Sequence, residues 1–191
     1  MRPRLRQVTQ DLHISVERHF ALTGRTWTDD SYRFLLARLW GFYAPFESAL
    51  AGLDWRGSGI LLEDRRKLPW LEADLLYLGM TRASIASLNR CHDLPRISNV
   101  HDGLGALYVL EGSTLGGQVI LRTLQSQLDI SPLAGGRFFA SYGKKISAMW
   151  RGYLSALEVA GGLPTGAEAI ENAALETFGA FDRWFGQDIR S

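Results

Sequence analysis

The chain has 191 residues and a mass of 21.3 kDa, with 21 basic against 20 acidic side chains and 46% apolar residues. A net charge of +1 supplies no overall field to attract nucleic acid or an anionic membrane surface, and the composition is that of a globular chain. The one cysteine, Cys91, excludes an intramolecular disulfide and suits a reducing compartment.

Arg2, Arg4 and Arg6 open the chain, but no apolar block follows them, so no secretory signal is read there. Apolar runs such as FLLARLWGFYAPF are interrupted by Arg38 and are too short to span a bilayer, which makes the cytoplasm the expected compartment. The length suits one domain over 1–191, and the periodicity suits an all-α fold. Leu5, Val8, Leu12 and Val16 recur at helical spacing and predict a first helix. A turn is expected at Thr23, Gly24 and Arg25. Thr28, Asp29 and Asp30 then offer a cap for a second helix carrying Tyr32, Leu35, Leu36, Leu39 and Phe42.

Gly57, Ser58 and Gly59 read as a loop, and Pro69 should start or kink a helix within 63–79. A further turn is expected around Asp93, Leu94 and Pro95. One long apolar-rich helix is predicted over 102–128, loosened or bent by Gly112, Gly116 and Gly117, each costing about 1 kcal/mol relative to alanine. Helical patterns over 138–159 and 166–186 close the chain, with a loop at 161–164 between them. No sustained heptad is present, so a monomer is expected.

Two segments carry candidate chemistry. His13 lies at the edge of the first apolar stripe, with Glu17 four residues on and within reach of one ring nitrogen. A carboxylate in that position fixes the tautomer of a metal-binding imidazole and raises its basicity, although this segment by itself favours an ordinary surface contact between the two. His19 is a rival ligand on another face, while His92 and His101 read as cap or surface residues. Gly112 and Gly116 stand four apart and present bare backbone on one helical face. That serves either the close approach of a flat ligand or close helix–helix packing.

The run LYVLEGSTLGGQVI resembles the distal-helix signature of the haem oxygenases, in their bacterial branch, and LRQVTQDLHISVE resembles the proximal-helix motif of the same family. The two motifs stand in the family's order, and the resemblance extends over most of the chain. It implies a multi-helical fold sandwiching haem b between the two helices, with His13 as proximal iron ligand and Glu17 as its supporting carboxylate. Gly112 and Gly116 match the distal glycines. Tyr108, Arg6 and, more loosely, Arg151 match positions beside the haem propionates, and Lys144 and Lys145 are further basic candidates there. Ser113 occupies the place of an aspartate that organises the distal water in mammalian-type members, so the proton-relay residues stay unassigned. A hydroxyl can hold a water but carries no charge.

The reaction implied is reductant- and O2-dependent opening of haem to biliverdin, carbon monoxide and iron, with haem as both cofactor and substrate. The chain contains no dinucleotide-binding fingerprint, so electrons come from a separate donor: a reductase, a ferredoxin or ascorbate. A biliverdin-using photoreceptor is a further conceivable partner. Two other readings compete: a non-catalytic haem carrier or sensor, and a related fold binding another flat heterocycle without iron ligation.

Overall fold

The computed structural model describes residues 1–19, 26–162 and 164–186, the side chains of Glu17, Arg18 and His19 aside. The expected turn at Thr23–Arg25 lies outside the described residues. Among those residues the fold is helical, with α1 (Arg2–Val8), α2 (Gln10–His19), α3 (Asp29–Ala51), α4 (Leu68–Tyr77) and α5 (Arg82–Ala86) in the first half. The second half holds α6 (Val100–Gln125), α7 (Arg137–Ala140), α8 (Ile146–Ala160) and α9 (Pro164–Gly186).

The predicted first helix is interrupted at Thr9, whose φ of −101° and ψ of 6° separate α1 from α2. Main-chain bonds from Thr9 to Leu5 (3.0 Å) and from His13 to Thr9 (2.9 Å) still carry the helical register across, so His13 keeps its phase. Thr28 caps α3 as expected: its hydroxyl accepts from the Ser31 amide, and Ser31 reciprocates. Asp29 and Asp30 occupy the first turn, where the helix dipole favours them.

Within α3, Pro45 has no amide proton, so the carbonyl of Gly41 lacks its usual partner one turn before it. The Cys91 amide fills that vacancy at 2.9 Å. A Cβ at Gly41 would stand 2.3 Å from the Asn89 carbonyl, so this loop seats against α3 only because residue 41 is glycine. Pro69 falls in the first turn of α4, where it starts a helix rather than breaking one.

The long helix α6 is capped by the Asn99 side chain and runs unbroken through Gly112, Gly116 and Gly117. The expected loosening does not interrupt it, because tertiary packing outweighs a cost of about 1 kcal/mol per glycine. Leu104, Leu107, Leu110, Leu121 and Leu124 are all buried, and each contributes about 1.5–3 kcal/mol. By length and composition α6 is apolar enough to cross a membrane, a property not anticipated from the sequence, yet 61% of the qualifying window is buried inside the protein. Its main partner is α9, which also receives α2.

The predicted helix over 138–159 is divided. Ser141 takes a left-handed φ of 49°, a 3-10 turn follows over Gly143–Lys145, and α8 begins at Ile146. What holds the short α7 is Asp74 of α4, whose carboxylate accepts from the Arg137 amide (2.9 Å) and the Phe138 amide (2.8 Å). Asp74 is wholly buried, and desolvation raises its pKa to about 6 against the opposing amide bonds.

A folded-state pKa above the ordinary 3.8 means the folded protein binds the proton more tightly than the unfolded chain. The contribution is therefore complete below about pH 4 and is lost as pH rises through about 6. The unfolding free energy of wild type minus that of Asp74→Asn should fall by about 2 kcal/mol between pH 4 and pH 7 in urea titrations. A flat or rising difference would show that the two amide bonds keep Asp74 ionised.

Candidate functional site

Both α2 and α6 pack against α9, and a cavity of about 310 Å3 opens between them. His13 and Val16 contribute from α2, Leu39 and Tyr43 from α3, Phe138 and Phe139 from α7, and Phe178 and Phe181 from α9. The wall from α6 includes Gly112, Ser113, Gly116 and Gly117. An outer recess of about 430 Å3 adjoins it through His13, Gly112 and Leu115, and is lined further by Arg2, Arg6, Tyr108 and Trp150. Both volumes lie within the range of small-molecule pockets, about 300–1,000 Å3.

The His13 ring meets Phe178 edge-on at 4.5 Å between centroids and Tyr108 at 6.1 Å. These ring contacts help to fix the direction of the imidazole. Tyr108 is buried, which raises its phenol pKa, while the Thr9 hydroxyl and the charges of Arg2 and Arg6 work the other way.

The glycines of α6 divide by environment. A Cβ built at Gly112 or Gly116 meets nothing within 4 Å, whereas one at Gly117 would stand 2.7 Å from the Phe139 carbonyl. Gly112 and Gly116 therefore have no packing duty and leave open space along the cavity wall. That is a cradle for a flat ligand, opposite a histidine able to ligate metal.

Ser113 donates its hydroxyl proton to the Leu110 carbonyl at 2.8 Å and lies 3.0 Å from the Tyr43 hydroxyl. With that single proton committed, Tyr43 is the donor between them. Ser113 can accept a bond from a molecule in the cavity but has no proton to give while the Leu110 bond stands.

Behind this wall lies a buried ionic cluster not anticipated from the sequence. Glu111 accepts from Arg65 Nη1, Lys67 Nζ and Tyr142 Oη, each at 2.7 Å. Lys67 also donates to the Arg65 carbonyl at 2.8 Å and contacts the Tyr142 oxygen at 2.5 Å, and it lines the His13 cavity. Desolvation lowers the Lys67 pKa, but three acceptors for its three protons, one of them a carboxylate, keep it an ammonium. Nothing in the run RRK at 65–67 distinguishes a buried lysine from a solvated one.

Of the residues singled out from the sequence, His13, Gly112, Ser113 and Gly116 meet at the cavity, and Arg6 and Tyr108 meet at its outer recess. Arg151 is exposed on α8 and lines a separate shallow recess that shares Arg2 with the outer one. Lys144 and Lys145 are exposed and line neither. His92 is exposed in a loop, and the His101 ring lies against Gly166 of α9. The side chains of Glu17 and His19 lie outside the described residues.

The Heme oxygenase family model matches residues 1–187. The chain belongs to the haem oxygenase family. A heme oxygenase from Xanthomonas campestris pv. campestris (strain 8004) is 33% identical over 133 residues, spanning 68% of this chain and 73% of that protein. The crystal structures of the NO- and CO-bound heme oxygenase from Neisseria meningitidis share the fold, with a TM-score of 0.77 over 99% of this chain and 94% of that one, at 21% identity. The all-helical architecture is therefore that of haem oxygenases, and family membership makes haem the ligand for which the cavity is to be judged.

Proposed function

We infer that this chain opens haem to biliverdin, carbon monoxide and iron, taking O2 as co-substrate and electrons from an external reductase, ferredoxin or ascorbate. The observation that carries the reading is the pairing, across one cavity of a family member, of His13 with two glycines whose Cβ positions face empty space. When bound, haem would supply both the oxygen-activating iron and the ring that is cut.

The chain's own residues bind, orient and hydrate. His13 would hold the haem iron through a ring nitrogen in its neutral form, with Glu17 the carboxylate assigned to support it. Gly112 and Gly116 keep the distal wall flat and close. Ser113 accepts a bond from a cavity water and passes none of its own protons on. Arg6, with Arg2 beside it, and Tyr108 hold propionates at the outer recess, and Arg151 serves at the rim of the neighbouring one. Phe138, Phe139, Phe178 and Phe181 exclude bulk water and strengthen each electrostatic contact inside. The working unit is a cytoplasmic monomer of one domain, 1–191.

The test is turnover. Hemin-loaded protein given oxygen and ascorbate should lose its Soret band and release biliverdin and carbon monoxide. A stable oxy-haem spectrum under those conditions would favour a carrier or sensor, the reading to which Ser113 in place of a carboxylate lends some support.

A further inference from the structure

The His13 cavity has no aspartate or glutamate among its described lining residues, and its buried neighbour is a cluster with an excess of positive charge. Arg65, Lys67 and Glu111 have side chains 6%, 2% and 1% exposed, so two cations share one carboxylate away from solvent. Tyr142 is a neutral donor whose phenol pKa is raised by burial, and it offsets none of that charge.

The only other carboxylate described close to Lys67, Glu47, is already occupied. It accepts from the Leu68 amide at 3.0 Å and also from the Lys67 amide, and it pairs with Arg66 at 3.4 Å. It lines a separate cavity of about 250 Å3, on the far side of Tyr43 and Lys67. Among the described lining residues, the one full charge presented to the His13 cavity from this side is the Lys67 ammonium. All its protons are spent on protein acceptors, so it acts through its field rather than by donating a bond.

We propose that the Arg65–Glu111–Lys67 cluster is a fixed positive charge set behind the distal wall, selecting anionic over neutral ligands at the sixth position of bound haem. The proposal rests on the haem reading above. A unit charge within several ångströms of a ligand in a water-poor cavity changes its affinity by about tenfold. The arrangement also suits position 113, where a carboxylate would cancel the field and a serine does not.

The experiment is equilibrium titration of the ferric, hemin-loaded protein with azide and, separately, with imidazole at about pH 8, where the first is an anion and the second neutral. Lys67→Met should weaken azide about tenfold and leave imidazole unchanged, and Lys67→Arg should restore azide binding. Glu111→Gln adds net positive charge and should tighten azide, an opposite sign that no loosening of the fold produces. Equal changes for both ligands, or no change, would overturn the proposal. So would failure of Lys67→Met and Glu111→Gln to bind hemin, which would assign the cluster to structure alone. If wild type itself does not bind hemin, it is the haem reading that fails.

Discussion

Gly105→Ala should cost the protein more than about 3 kcal/mol, while Gly112→Ala should leave the fold intact or stabilise it by up to about 1 kcal/mol. Both lie in α6, seven residues apart, and both are glycine where alanine is the better helix former. What separates them is the neighbouring backbone. A Cβ at Gly105 would stand 2.4 Å from the Ile170 carbonyl, 2.7 Å from the Ala173 Cβ and 2.9 Å from the Ala174 amide. None of these is the end of a flexible side chain, so α6 and α9 would have to separate along their main contact.

At Gly112 there is nothing within 4 Å to displace. Alanine there gains backbone entropy and projects a methyl group into the cavity, which should weaken hemin binding about tenfold or more. Urea unfolding of the haem-free proteins, with hemin titrations alongside, measures both effects. A destabilised Gly112→Ala would make residue 112 a packing glycine, and unaltered hemin affinity would remove it from the site.

On the proposed reading of His13 as the group that holds the iron, His13→Ala should abolish turnover and lower hemin affinity on the order of 100-fold. The edge contacts with Phe178 and Tyr108 frame the space that the ring vacates, so added imidazole should restore a low-spin or histidine-like spectrum in the variant. Loss of the Soret shift together with its rescue by imidazole is the expected result. A Soret spectrum identical to wild type would sink the assignment and direct attention first to His19.

Most of the secondary structure was legible in the sequence because it depends on local spacing and caps. The Thr28 cap of α3, the start of α4 around Pro69 and the long helix α6 each follow from residues a few positions apart. The turn expected at Asp93–Pro95, by contrast, is irregular chain with no turn hydrogen bond among the described residues. The division of 138–159 was not legible. Its cause is a left-handed φ at Ser141 and a pair of hydrogen bonds donated by the Arg137 and Phe138 amides to the Asp74 carboxylate, 63 and 64 positions away in the chain. The α1–α2 interruption at Thr9 was missed for a milder reason, since the helical register survives it.

The candidate site divides in the same way. His13, Gly112, Ser113 and Gly116 could be named because two short motifs carry them, whereas Tyr43, Lys67 and Phe178 reach the cavity from elements that no local pattern connects. Lys67 and Glu111 are 44 positions apart and meet at 2.7 Å.

By itself, the sequence determined the helical class, the family and the two helices that bear the histidine and the glycines. Only the tertiary structure decided which glycines serve packing and which leave room for a ligand. It alone decided, too, which charges lie buried behind the cavity wall. Periodicity reports the face of a helix on which a residue lies, but what that face meets depends on contacts between residues far apart in the chain.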